Sequence, residues 1–195
     1  MKQFRFLMGA AAVLALAALV NGSFAGEKAA KVGDKAPTFE SVDENGKVWK
    51  SSDHVGKKVL VLYFYPADFT GGCTTQACAF RDNIDKFKDV EVVGVSGDSS
   101  KNHLMFKAYN KLPFTLLADE NGDVAKKFGV KVGKGGKNAA TDEKGNKIEI
   151  SQNVRLQRVT VVIDKQGNIA AIDPVGKAGD DATRVLEIVE KLQKK

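Results

Sequence analysis

Apolar residues recur along the chain in patterns that predict alternating strands and helices. Val59-Leu60-Val61-Leu62-Tyr63-Phe64-Tyr65 is a continuous apolar and aromatic run, as expected of a central strand covered on both faces, and Val90 to Val95 is a second such strand. Between them Cys73, Ala77, Phe80, Ile84 and Phe87 recur at spacings of four, three, four and three, which predicts one buried stripe of a helix. Strand, helix, strand in this order implies a βαβ unit with a parallel pair. Ser99 or Ser100 caps a second helix to about Leu112, and Thr115 to Ala118 reads as a short strand. Arg158 to Asp164 and Asn168 to Ile172 flank Lys165-Gln166-Gly167 as a hairpin. Ala182, Val185, Leu186, Val189 and Leu192 then mark an amphipathic C-terminal helix. A parallel pair followed by an antiparallel hairpin and a helix is the thioredoxin-like α/β order, a mixed central sheet flanked by helices.

The segment from Lys131 to Val154 interrupts this order. It is polar and glycine-rich, and Ile148 and Ile150 alternate around Glu149, so it is expected to be an insertion carrying a flexible loop and a short surface hairpin. Its Gly133-Lys134-Gly135-Gly136 stretch has neither the dinucleotide nor the Walker spacing, which argues against a phosphate cradle. Four Asp-x-x-Gly turns, at Asp43, Asp119, Asp142 and Asp164, are irregularly spaced and represent turn chemistry, not a repeat. Asp119, Asn121 and Asp123 mimic the start of a calcium loop, but Val124 and Lys131 stand where that loop needs Gly and Glu.

The N-terminus belongs to a different kind of sequence. Lys2 and Arg5 precede an uncharged run of 15 residues, Phe6 to Val20, and Ser23-Phe24-Ala25 offers small residues at the −3 and −1 positions of a cleavage site. The expectation is an exported, periplasmic protein with residues 1–25 as a signal peptide and 26–195 as a single domain; an uncleaved N-terminal anchor is the competing reading. Cleavage would remove Lys2 and Arg5 and no acid, so the formal charge falls from +6 to +4. The remaining lysines are scattered and no basic run interleaves with aromatics, so neither a nucleic-acid partner nor, after cleavage, a membrane is expected. With 195 residues, 43% of them hydrophobic, and only two cysteines, the chain folds by burying a core and is not a disulfide scaffold.

Both cysteines lie in Tyr65-Pro66-Ala67-Asp68-Phe69-Thr70-Gly71-Gly72-Cys73-Thr74-Thr75-Gln76-Ala77-Cys78. Cys73 falls where a strand ends and a helix begins. Unpaired backbone N–H groups and the positive end of the helix dipole favour a thiolate there. As the first residue of the buried stripe it is expected to be only partly exposed. Cys78 lies about 140° further round the helix, with a Cα separation of roughly 8.7 Å. A disulfide needs less than about 7 Å, so oxidation would have to unwind the first turns, Cys73 reacting while the helix is folded and Cys78 resolving the product after it frays. Two other readings stand beside this one: an ordinary structural bridge, or a soft-metal site formed with His54 or His103. For the metal site, an exported copper chaperone of the SCO type is the comparison, although that family spaces its cysteines as Cys-x3-Cys. Each histidine taken alone reads as a surface or cap residue.

Around Cys73 the sequence resembles the peroxiredoxins, of the bacterioferritin comigratory protein or PrxQ type. Pro-x3-Thr-x2-Cys is present as Pro66, Thr70 and Cys73, and Cys78 matches the resolving cysteine of that type. Supporting stretches run from Val32-Gly33-Asp34-Lys35-Ala36-Pro37-Thr38-Phe39, through Leu117-Ala118-Asp119 and Phe128-Gly129-Val130, to Arg158-Val159-Thr160-Val161-Val162-Ile163-Asp164. The resemblance implies a peroxidatic Cys73, shielded by Pro66, and a resolving Cys78. It further implies a Thr70 hydroxyl bonded to the thiolate and the peroxide, and Arg158 supplying positive charge, with Arg155 a nearby competitor. The implied reaction reduces hydrogen peroxide and small organic hydroperoxides without metal, haem or flavin, and a thioredoxin-like dithiol resets a monomeric enzyme. Gly71 replaces the usual proline, and Gln76 replaces a glutamate that helps hold the arginine, so the arginine is expected to be held less firmly.

Overall fold

The computed structural model describes residues 29–142 and 144–194; the expected signal peptide lies outside them. Among the described residues, no helix is long and apolar enough to cross a membrane. The apolar run predicted to be a central strand is β3 (Val59–Phe64), buried at every position. It pairs in parallel with β4 (Val90–Ser96), from Val59 opposite Val90 to Phe64 opposite Val95, and antiparallel with β8 (Val159–Ile163). Beyond β4 lies β5 (Thr115–Ala118), and beyond β8 lies β9 (Ile169–Pro174), which completes the expected hairpin. Two strands absent from the sequence reading, β1 (Glu40–Asp43) and β2 (Val48–Lys50), close the other edge, giving the order β2-β1-β5-β4-β3-β8-β9. This is the mixed sheet that the order of elements implied.

Side chains of β3 alternate between two cores, because successive residues of a strand face opposite ways. Leu60, Leu62 and Phe64 pack with Phe39, Trp49, Phe128 and α3 (Asp123–Lys127) on one face. Val59, Val61 and Tyr63, with Tyr65 just beyond the strand, face α1 (Gly71–Asp82), α2 (Ser100–Asn110) and α4 (Asp181–Gln193) through Cys73, Ala77, Phe80, Phe106, Val185 and Val189. The α1 stripe is shorter than its spacing suggested. Asn83 donates through Nδ2 to the Ala79 carbonyl at 2.9 Å, and the α-helix ends at Asp82, so Ile84 and Phe87 belong to a following 3-10 turn and its exit. Ser99 caps α2 as expected, and Lys111, in a left-handed conformation at φ 53°, ends it before Leu112.

The polar insertion is not a flexible loop. Gly133 to Gly136 lie in β6 (Val132–Thr141), paired antiparallel with β7 (Lys147–Leu156) as a separate two-stranded sheet with ten residues to a strand. Glycine permits the approach: a Cβ on Gly135 would stand 2.0 Å from the Gln152 carbonyl oxygen, and one on Gly97, after β4, 2.2 Å from that of Val154. The hairpin therefore lies on the turn that follows β4. Asp119 is equally committed, its two carboxylate oxygens accepting the backbone N–H groups of Val124 and Ala125 at 3.0 and 2.8 Å to start α3.

Candidate active site

The loop leaving β3 has to turn the chain from the sheet into α1 within six residues, Tyr65 to Thr70. Phe69 makes that turn at φ 57°, a conformation unfavourable for a residue with a Cβ, and its ring is held against Phe106 and Tyr109 at centroid distances of 5.2 and 5.8 Å. Thr70 is extended at the N-cap, and Cys73 sits in the first turn of α1. Its side chain is only 1% exposed, so the expectation of partial exposure gives way to a covered thiol packed in the second core.

Arg158, in the link between β7 and β8, reaches this thiol. Its Nη2 donates to Cys73 Sγ at 3.1 Å, and Nη1 donates to Gln76 Oε1 at 2.5 Å. Gly72 leaves room for it: a Cβ there would lie 3.3 Å from Nη2. A charge-assisted contact of this kind stabilises negative charge that develops beside it. Arg155, the competing arginine, instead donates to Asn138 Oδ1 at 2.6 Å in the hairpin. The arginine is not loosely held, as the loss of a glutamate implied. Gln76 is buried, and its Nε2 is tied to Asp181 at 2.7 Å.

Thr70 donates its hydroxyl proton to the Ala67 carbonyl at 3.0 Å, which leaves the oxygen's lone pairs as the part of the group able to engage a ligand. Pro66 is half-buried, and its carbonyl accepts from Gln152 Nε2 of the hairpin at 2.8 Å. Cys78, half-buried and on the same intact helix as Cys73, has its Sγ 3.9 Å from Asn110 Oδ1 at the end of α2. Arg81 Nη1 donates to the Asn110 backbone carbonyl at 2.7 Å. Both cysteines are free.

Beneath the loop lies a polar network that the sequence reading missed. Asp68 is fully buried; its carboxylate accepts from Tyr65 Oη at 2.8 Å and meets His103 Nδ1 at 2.9 Å, while its backbone N–H donates to Asp98 Oδ2 at 2.9 Å. The Ser96 hydroxyl and Asn102 Nδ2 also donate to Asp98, at 2.8 and 3.3 Å. Burial, reinforced by the nearby Asp68 charge, pushes Asp98 up to about 6. At His103 burial opposes the charged ring, but Asp68 and Asp98 outweigh it and hold the imidazole above its ordinary value. His103 is thus a core residue, not a surface one, and both its nitrogens are engaged, Nε2 with the Leu117 carbonyl at 3.1 Å. His54 lies against Glu91 and stacks on Trp49, so neither histidine is gathered with the cysteines as a copper site would require.

Comparison with known proteins agrees with this geometry. Residues 32–172 match the AhpC/TSA family. The chloroplastic peroxiredoxin Q of Sedum lineare is 54% identical over 100 residues, which are 50% of this chain and 53% of that protein; the chain spans about half the length of such chloroplastic relatives. Peroxiredoxin Bcp of Bacillus subtilis is 36% identical over 167 residues, covering 85% of this chain and 98% of the relative. Among solved structures, peroxidoxin BcpB from Mycobacterium tuberculosis superposes with a TM-score of 0.68 at 28% identity, over 84% of this chain and 98% of that one. With a thioredoxin-like sheet, a cysteine in the first turn of α1 and an arginine on its sulfur, the chain belongs to the AhpC/TSA family, among the peroxiredoxins of the bacterioferritin comigratory protein or PrxQ type.

Proposed function

We propose that the protein is a thiol-dependent peroxidase, and the observation that carries this reading is the 3.1 Å contact of Arg158 with Cys73 Sγ at the start of α1. The Cys73 thiolate attacks one peroxide oxygen; the S–O bond forms as the O–O bond breaks, and the departing oxygen leaves as water or alcohol after taking a proton. Arg158 offsets the negative charge that moves from sulfur to the leaving oxygen. Thr70 Oγ1, its own proton committed to Ala67, accepts the hydrogen of the peroxide, and Pro66 shields the sulfur from bulk water. Hydrogen peroxide and small organic hydroperoxides suit a covered thiol better than a bulky substrate does.

The product is a Cys73 sulfenic acid. Cys78 attacks it, releasing water and forming a Cys73–Cys78 disulfide, which requires the first turns of α1 to open because an intact helix holds the two Cα atoms too far apart. A thioredoxin-like dithiol then reduces the disulfide. The reaction as written needs no metal, haem or flavin. Residues 1–25 export the protein, residues 26–195 act as one monomeric domain, and the site of action is the periplasm.

The deciding experiment mixes reduced protein with stoichiometric hydrogen peroxide and follows thiol loss in the wild type, Cys73→Ser and Cys78→Ser. Rapid peroxide consumption should vanish in Cys73→Ser, whereas Cys78→Ser should accumulate a sulfenic acid at Cys73. Slow, equal oxidation of both thiols would overturn the proposal.

A further inference from the structure

The contacts that orient Arg158 continue behind it into the C-terminal helix. Gln76 Oε1 receives Arg158 Nη1, and Gln76 Nε2 donates to Asp181 Oδ2 at 2.7 Å. The same oxygen accepts the Thr160 hydroxyl at 2.7 Å, and Asp181 Oδ1 accepts Arg184 Nη2 at 2.6 Å. Gln76, Thr160 and Asp181 are all at most 1% exposed, so water cannot replace any member.

A primary amide has one accepting and one donating end, and in isolation it can be turned either way. Here its two neighbours have fixed and opposite character. A guanidinium only donates, and an ionised carboxylate only accepts. Turning the Gln76 amide over would set NH2 against guanidinium and oxygen against carboxylate, breaking both hydrogen bonds and leaving both ends of the buried amide without a partner. The carboxylate on α4 therefore dictates which end of Gln76 meets Arg158.

We infer that Asp181 is a positioning residue for the reaction: through Gln76 it fixes the guanidinium of Arg158 on Cys73 Sγ, so the anion that orients the arginine sits on the C-terminal helix, one amide removed. This inference rests on the peroxidase reading for its consequence, not for its geometry. A carboxylate at position 76 would contact Arg158 directly; this chain places an amide there and the charge at Asp181.

The test compares Asp181→Ala, Asp181→Asn and Arg184→Ala in the full-length protein carrying Cys78→Ser, so that iodoacetamide reads Cys73 alone. The pH profile of alkylation should move to the alkaline side in Asp181→Ala. Alkylation at pH 6 and peroxide consumption should each slow about tenfold, the effect of one charge-assisted hydrogen bond. Asp181→Asn, which can still accept from Gln76 through Oδ1, should stay within about threefold of the parent. Arg184→Ala, which breaks the ion pair of α4 without touching Gln76, should lower Tm and leave the profile in place. An unchanged profile in folded Asp181→Ala, or an equal shift in Arg184→Ala, would overturn the inference. Should Asp181→Ala fail to fold, the exchange Gln76→Glu with Asp181→Asn decides: a parental profile supports it and an alkaline one refutes it. Because alkylation requires no peroxide, peroxide consumption persisting in Cys73→Ser would sink the peroxidase reading separately.

Discussion

Asp98 makes the stability of this fold depend on pH in a way that one substitution exposes. Its carboxylate is held at about 6, against 3.8 for an unperturbed aspartate, because it is buried beside Asp68. Between those two values the folded chain holds a proton that the unfolded chain has released, so stability falls as pH rises through the window. Roughly two pKa units at 1.36 kcal/mol each place this loss at about 3 kcal/mol by pH 7. Asp98→Asn removes the titration. Asparagine keeps an oxygen for the Asp68 N–H and the Ser96 hydroxyl but turns an NH2 toward Asn102 Nδ2, a fixed penalty that does not vary with pH. His103 acts in the same direction: its raised pKa contributes stability at low pH that is lost as pH rises, and the variant gives up part of it. Urea denaturation of both proteins under reducing conditions from pH 4 to pH 8 should therefore show the variant gaining on the wild type by up to about 3 kcal/mol, chiefly below pH 6.5. A difference that is flat across this range, or that falls, would refute the assignment of a buried carboxylate disfavoured in its ionised form beneath the loop between β3 and α1.

Other perturbations probe the site directly. Arg158→Met should slow peroxide reduction by about 100- to 1,000-fold in stopped-flow assays. Arg158→Lys should recover little of it, because a single ammonium nitrogen lacks the planar fork whose two nitrogens reach Cys73 Sγ and Gln76 Oε1. Gly71→Pro places proline at the first residue of α1, after an extended Thr70 (ψ 145°) and with no atom within 4 Å of the added Cβ. It should raise stability by about 0.4–1 kcal/mol and slow formation of the Cys73–Cys78 disulfide; a lowered Tm would count against it.

Much of this architecture could be read from sequence because its signals are local. The unbroken run at Val59 to Tyr65 specifies a strand buried on both faces, and the apolar stripe that begins at Cys73 marks the helix that follows it. The strands Glu40–Asp43 and Val48–Lys50 escaped notice because they are short and lie at a sheet edge, with too few inward residues to display a period. Glycines at 133, 135 and 136 masked a strand, since the residue type that usually signals a loop lies within β6, and at 135 it lets two backbones touch. The polar partners were the hardest to see. Asp68, His103, Gln76 and Asp181 are each of a type normally found in water, and only the fold shows that they satisfy one another in the interior.

The hydrogen bonds that complete the site also set an order of assembly. Pro66 waits for Gln152, 86 residues later; Cys73 waits for Arg158, 85 residues later; Gln76 waits for Asp181, 105 residues later. During synthesis, then, a chain long enough to form the β3–α1–β4 unit already carries both thiols, Thr70 and the N-terminus of α1, but not Arg158, Gln152 or Asp181. The guanidinium on Cys73 comes from the link before β8 and the carboxylate behind it from the last helix, so a truncated or half-made chain holds Cys73 without the positive charge that stands on its sulfur.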